Sequence, residues 1–271
     1  ESNWKTKHCV LLGLAIGFCA LTYYNAYGYI LCSIILCLVS VTSNKMKAKD
    51  VWQKILIVGL IAITFAGWWF VRNAILYNGD FLGINAQNEC GDKYALHDYK
   101  PSTRLTFQKE GKSLIYMIVE KRWLNTTAVS FIGVFGYHTI MMSTKIYYCY
   151  LAIWVVGAIG CLINFKELFM YKKEEKNKYL LNYIFVASII IPVLLSMYYS
   201  YASDYQPQGR YIMGIIVPFT YFLVKGIETL LEKFIKSEKI RNVIIIALML
   251  LIIVISFKAI FGYIIPAYRG K

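Results

Sequence analysis

Arg210 and Arg72 are the residues whose type and setting could do chemistry. In DYQPQGRYIMGIIVPF, Asp204 to Phe219, an acid, two glutamines and an arginine stand directly against an apolar run. In GWWFVRNAILYNGDFLG, Gly67 to Gly83, Trp68 and Trp69 precede Arg72 and Asn73, and Asn78-Gly79-Asp80 is a turn signal. A third stretch, SFIGVFGYH, Ser130 to His138, spaces aromatics with glycines. A guanidinium is a planar fork that takes phosphate oxygens bidentately, and a low-dielectric edge strengthens the contact. Asn73, Gln206 and Gln208 could hydrogen-bond sugar hydroxyls or the same phosphate, with Tyr211 beside them. For an isolated arginine the bland reading is snorkelling to the headgroups. Two arginines with amide neighbours, each beside aromatics and at one expected depth, point instead to a pocket for a lipid-linked phosphate.

The elements that must position these residues are membrane helices. The chain has 271 residues, 58% of them hydrophobic, and a mean hydropathy of +0.52. Charged residues make up 16%, against about 25% in soluble domains. The apolar residues fall in blocks, and the sequence is read as an integral membrane protein. The net charge of +14 lies largely in short clusters between those blocks, so orientation in the membrane accounts for it. Attraction to anionic lipid headgroups adds to that. No basic-plus-aromatic module indicates nucleic acid. The seven cysteines form no CxxC pair, and most sit in apolar runs, so neither a disulfide framework nor a zinc site is indicated.

Five apolar runs have spanning length: about Lys54 to Val71, Lys145 to Phe165, Tyr179 to Tyr198, Tyr211 to Leu230, and Val243 to Ile265. The opening block, Cys9 to Val41, is too long for one upright span. It is interrupted by TYYNAYGY, with Asn25 and Gly28, and reads as two short helices in a hairpin. The basic connections Thr42–Lys54, Lys166–Lys178 and Lys233–Arg241 then share one side, which the positive-inside tendency makes cytoplasmic. The expected architecture is all-α: a polytopic bundle of about seven spans, one transmembrane domain over residues 1–271. Its N-terminus is cytoplasmic and its C-terminus outside. The outer side receives a loop of about 74–128 and the short Tyr199–Arg210 connection. In the loop, Leu105, Phe107, Leu114, Ile115, Ile118, Val119 and Trp123 recur at near-helical spacing, with Lys109, Lys112, Lys121 and Arg122 between. That predicts a helix lying on the membrane surface.

Weaker signals carry less. His97 and His138 lack ligand spacing, and no metal site or cofactor is expected. Asn125-Thr126-Thr127 matches a glycosylation acceptor, a triplet common by chance. Lys258, inside the last run, is read as snorkelling outward.

Four stretches together resemble the C-terminal half of bacterial GT-C superfamily membrane glycosyltransferases, of the dolichyl-phosphate-mannose–protein mannosyltransferase-like kind. LLGLAIGFCALTYYNAYGYIL looks like the family's paired short helices, often GLALLTKYT, with Tyr23 where lysine is common. GWWFVRNAILYNGDFLG resembles W-x-x-R-N-x-x-x-Y-G-D-P-x-G, with Asn78 inserted before Gly79 and Phe81 replacing proline. SFIGVFGYH looks like SFWGVFGW. QGRYIMGIIVPF resembles Q-G-R-Y-x-x-P-x-x-P, with Gly214 at the first proline. The set runs in order across most of the chain.

The resemblance implies transfer of a sugar from a polyprenyl-phosphate carrier to a lipid, glycan or protein acceptor on the outer face of a bacterial inner membrane. It gives Arg210, with Arg72 as second candidate, the task of holding the carrier phosphate. The family's catalytic acid lies in a first outer loop near the N-terminus. The chain starts at Glu1, with no such loop before Leu11, and is read as the C-terminal part of a longer protein that lacks the general base. Inverting transfer needs a carboxylate to deprotonate the acceptor and a positive group to stabilise the leaving phosphate. Arginine suits only the second task, because it keeps its proton. Asp80 and Asp204 are the acids nearest the polar stretches, and Asp204 is a weak candidate for the base or for orienting Arg210.

Two alternatives stand. An O-antigen polymerase or ligase would carry its essential arginines in a large outer loop. A transporter would show ionisable residues at mid-span or an inverted repeat, neither of which is evident; a non-catalytic scaffold remains as the other bland reading.

Overall fold

Long apolar runs fold as helices, because a crossing segment must satisfy its own backbone. The computed structural model describes residues 5–22, 26–43, 47–170 and 176–269. Among the described residues, five helices are long and apolar enough to cross a membrane: Lys49–Leu76, Thr144–Ile163, Lys178–Ala202, Gly209–Phe234 and Glu238–Arg269. Each contains most or all of one of the five expected runs. At 1.5 Å per residue the shortest, with 20 residues, reaches about 30 Å, the thickness of the hydrocarbon core. Their outer faces leave Leu56, Ile63, Leu162, Val217 and Val254 exposed, a surface suited to lipid and costly in water. The protein is an all-α integral membrane protein.

The described chain divides into two compact units. The first holds the residues up to Lys121 together with Ile190–Gln206. The second holds Arg122–Ile189 and the residues from Pro207 onward.

In the first unit, α1 (Thr6–Thr22) and α2 (Tyr27–Ser43) are the two helices expected of the opening block. The break between them, with Tyr23 and Asn25, lies outside the described residues. Ala20 shares one groove with Tyr27 and Ile30, Leu12 shares a second with Cys37, and Ile16 and Ile34 line both, so the two helices run antiparallel, as a hairpin must. The third helix, α3 (Ala48–Leu76), runs parallel to α1: Gly13 meets Val58 and Ile61, while Gly17 meets Ala62 and Phe65. A methyl group at either glycine would touch α3 at 2.8 Å, so the small residues set the approach.

The loop after α3 departs from the expected surface helix. It forms α4 (Ile84–Tyr94), a run of turns, and a short α5 (Leu114–Val119). Helical spacing is realised only over α5. Upstream, the Lys109 ammonium donates to the carbonyls of Pro101, Ser102 and Arg104 at 3.4, 3.1 and 3.1 Å and ties the turns together. Gly111 then takes φ +69, outside helical space, and Ser113 Oγ caps α5 by accepting from the Tyr116 N–H. Arg122 at φ 54 ends the segment before Trp123. Periodicity of apolar residues does not register a glycine that takes the left-handed region.

The second unit contains α6 (Trp123–Gly133), a hairpin of β1 (Val134–Phe135) and β2 (Ile140–Met141), α7 (Thr144–Ile163) and α8 (Phe165–Phe169). The helix α9 (Lys176–Ala202), which carries Pro192, contributes to both units. A 3-10 segment, Gly209–Ile215, leads into α10 (Ile216–Phe234). The chain closes with α11 (Glu238–Ala259), a π turn at Ile260–Ile264, and α12 (Ile265–Arg269). Trp154 packs on Phe219 at 5.1 Å, and Asn164 Nδ2 donates to Thr229 Oγ1 at 3.0 Å, so α7 and α10 run parallel. Asn182 is fully buried yet satisfied: its Nδ2 donates to the Leu168 carbonyl at 2.7 Å, and its Oδ1 accepts from Tyr221 Oη at 2.9 Å. Buried polar groups are tolerated in this way when they are paired.

Candidate functional site

Gly209 is where two of the three polar stretches meet. A Cβ on Gly209 would overlap the backbone of Ser130 and Phe131 on α6, so only glycine permits the approach. The Gly209 N–H donates to Ser130 Oγ at 3.1 Å and fixes the contact. Gln208 and Arg210, on either side of that glycine, thereby line one cavity with the Ser130–His138 stretch and Met213. Its volume is about 360 Å³, within the range of about 300–1,000 Å³ usual for small-molecule sites.

Arg210 is exposed and braced. Its guanidinium lies over the Tyr211 ring at 4.9 Å, and Nη2 donates to Tyr211 Oη at 2.9 Å. The remaining N–H groups of the fork's five have no protein partner among the described residues. Tyr211 is absent from the cavity lining, so its part is to hold the arginine. No carboxylate lines the cavity, whose one permanent charge is therefore positive. Such a lining suits an anion, and the fork adds directionality.

The hairpin wall is tied down by tyrosines. Tyr147 Oη donates to the Gly133 carbonyl at 2.8 Å and accepts from the Met142 N–H at 3.1 Å, bracketing both strands. Tyr263 Oη, on the π turn, accepts from the Ser143 N–H at 3.1 Å. Phe131, Trp154 and Phe219 form an edge-to-face cluster behind the cavity, with centroids 5.1 to 6.1 Å apart. Rigid elements thus carry the site.

The other expected site residues belong to the first unit. Arg72 Nη1 donates to Asn73 Oδ1 at 3.1 Å, and its guanidinium lies over Trp69 at 5.1 Å. Asn73 is buried and its Nδ2 donates to the Phe81 carbonyl at 3.4 Å, so it holds the turn after α3. Asp80 accepts from the N–H groups of Gly83, Ile84 and Ala86 at 3.0 to 3.3 Å and so satisfies donors at the start of α4. Asp204 pairs with Arg104 at 2.5 Å and accepts from Gln206 Nε2. Its carboxylate is thus engaged within its own unit, a partnership across about a hundred residues that no local pattern announces.

That ion pair belongs to a clasp. Tyr201 Oη donates to the Lys112 carbonyl at 3.0 Å, Tyr205 Oη donates to the Lys121 carbonyl at 2.7 Å, and Phe107 meets Tyr205 edge-on. Shifted proton affinities also lie in this loop: the Ser102 N–H holds the Asp92 carboxyl below its ordinary range, and Glu110 raises the Lys112 ammonium. Both are loop contacts. Among the described residues no three His, Cys, Asp or Glu gather as metal ligands. His97 pairs with Asp98 at the surface, and His138 lines the cavity. Of the glycosylation triplet, Asn125 is exposed and Thr127 is buried on α6.

No known protein family, curated protein or solved structure matches the chain.

Proposed function

We propose that the chain is the C-terminal membrane portion of a glycosyltransferase that takes a sugar from a polyprenyl-phosphate carrier to a lipid, glycan or protein acceptor on the outer face of a bacterial inner membrane. One observation carries this reading: Arg210, with most of its donors unengaged, lines a carboxylate-free cavity built from two of the stretches that resemble the GT-C enzymes. In the proposed reaction the guanidinium neutralises the phosphate as the bond to the sugar breaks. The base that deprotonates the acceptor comes from outside this cavity.

The proposal includes seven spans, formed by α1, α2, α3, α7, α9, α10 and the α11–α12 pair, with a cytoplasmic N-terminus and the loop around α4 outside. Parallel α1 and α3, and parallel α7 and α10, agree with alternating crossings. The basic connections supply the direction. Cys90 tests it, being exposed on α4. A membrane-impermeant maleimide is expected to label Cys90 in intact spheroplasts; labelling only after permeabilisation would reverse the topology.

The site is tested by ligand binding. The purified chain in nanodiscs is expected to bind a short-chain polyprenyl phosphate in preference to the uncharged polyprenol. Arg210→Ala should weaken the phosphate lipid about 10- to 100-fold, the worth of one or more hydrogen bonds to a charged group. Arg210→Lys should recover only part of the loss, since an ammonium lacks the fork. Equal binding by wild type and Arg210→Ala would remove the carrier site.

A further inference from the structure

We propose that Tyr137 reads the sugar on the carrier: its ring is the platform on which the apolar C–H face of a pyranose stacks, while Arg210 holds the adjoining phosphate. This rests on the reading of the cavity as a polyprenyl-phosphate site.

Tyr137 lines that cavity and is 99% exposed. A tyrosine kept for structure buries its ring or pairs its hydroxyl. Tyr147 and Tyr263 on the same wall both pair theirs. Tyr137 makes no hydrogen bond and no ring contact among the described residues. Yet the backbone beneath it is closely specified. It sits at the tip of the β1–β2 hairpin, between Gly136 at φ +63 and His138 at φ +65, with Tyr268 Oη close against Gly136. A left-handed backbone is uncommon outside glycine, and two residues in that region flank Tyr137. The hairpin tip therefore presents a large, unpartnered aromatic ring on the cavity that Arg210 also lines.

The chemistry selects the ligand. A pyranose is neutral, has one face rich in C–H groups, and carries hydroxyls around its edge. The Tyr137 ring suits the face, and the Gln208 amide and His138 imidazole on the same lining suit the edge. A phosphate alone would leave the Tyr137 ring unused, since the face of an aromatic ring carries negative charge density and offers an anion nothing. The competing use of an exposed tyrosine is anchorage at lipid headgroups.

Binding to two lipids separates these uses. The probes are a short-chain polyprenyl phosphate and the same lipid bearing mannose or glucose. Wild type is expected to bind at least one sugar-bearing lipid more tightly than the bare one. Tyr137→Ala should lose about two- to tenfold on that lipid, the usual strength of an aromatic contact, and nothing on the bare phosphate. Tyr137→Trp should keep the preference. Because the side chain is exposed, neither change should alter thermal unfolding. Equal loss on both lipids would assign Tyr137 to headgroup anchorage and overturn the proposal, as would no loss or no preference in wild type. Arg210→Ala keeps the two readings apart. If it loses both lipids while Tyr137→Ala loses neither, only the sugar platform falls; if it binds both as wild type does, the carrier site itself falls.

Discussion

Gly209→Ala is expected to abolish polyprenyl-phosphate binding and to lower unfolding stability by about 1–3 kcal/mol, the usual cost of overpacking. The added methyl would overlap main-chain atoms of Ser130 and Phe131, which cannot rotate aside as a side-chain end can. One of two elements must move. If the 3-10 segment retreats, the Gly209 N–H loses Ser130 Oγ, and Gln208 and Arg210 leave their places on either side. If α6 retreats, Phe131 leaves Trp154 and Phe219, and the cavity wall goes with it. Either way the fork is displaced from its pocket, and a shift of an ångström is enough to cost a positioned contact much of its worth. Thermal unfolding in detergent and lipid binding read the two effects together. Unchanged values for both would mean that the contact between the QGR and SFIG stretches does not build the site.

This glycine also shows what the sequence could reveal. Both stretches were legible as polar and glycine-spaced segments at the ends of spans. Arg210 and Gln208 stood out because amides and a guanidinium are rare beside an apolar run. That Gly209 seats one stretch on the other was not legible, because a close backbone approach leaves no mark except the glycine itself. The five long helices follow directly from hydropathy, since residues facing lipid must be apolar all along a crossing. The break in the opening block was signalled by its polar centre.

The loop after α3 was harder. Its apolar spacing suggested one helix through residues 105–123, and only Leu114–Val119 obeys. Gly111 leaves helical space between Phe107 and Leu114, so the chain cannot run on as one helix whatever its apolar spacing. Asp204 was equally opaque. Sequence proximity suggested Arg210 as its partner, whereas the ion pair runs to Arg104. Loop-to-loop pairing depends on how the loop folds, and no spacing rule encodes it. Asn73 and Asp80 were attractive as polar residues at an interface, yet both spend their side chains on the turn that starts α4.

The largest loss of stability is expected from Gly226→Val. On α7, Gly157 and Gly160 face Gly226 on α10, and a Cβ on Gly226 would overlap the Gly157 carbonyl. A Cβ on Gly160 would in turn overlap the Gly226 carbonyl, so the two backbones touch with nothing between. Lipid supplies little hydrophobic drive for helix association, which leaves close packing and interhelical hydrogen bonds to hold such a pair. Pushing α10 outward loosens both. Cys161 Sγ would lose the Phe222 carbonyl at 3.0 Å, and Asn164 would lose Thr229. Clash and lost contacts together place the cost above about 3 kcal/mol, in the range reserved for named core defects. In SDS-titrated mixed micelles, Gly226→Val should unfold at markedly lower SDS fraction than wild type, and Gly226→Ala should fall between. Gly59→Ala is the matched control, since a Cβ there meets nothing within 4 Å, and alanine favours a helix by about 1 kcal/mol over glycine. Because α10 continues directly from the segment that carries Arg210, lipid binding should fall in step with Gly226→Val unfolding. Wild-type resistance to SDS in Gly226→Val would show that α7 and α10 do not approach this closely.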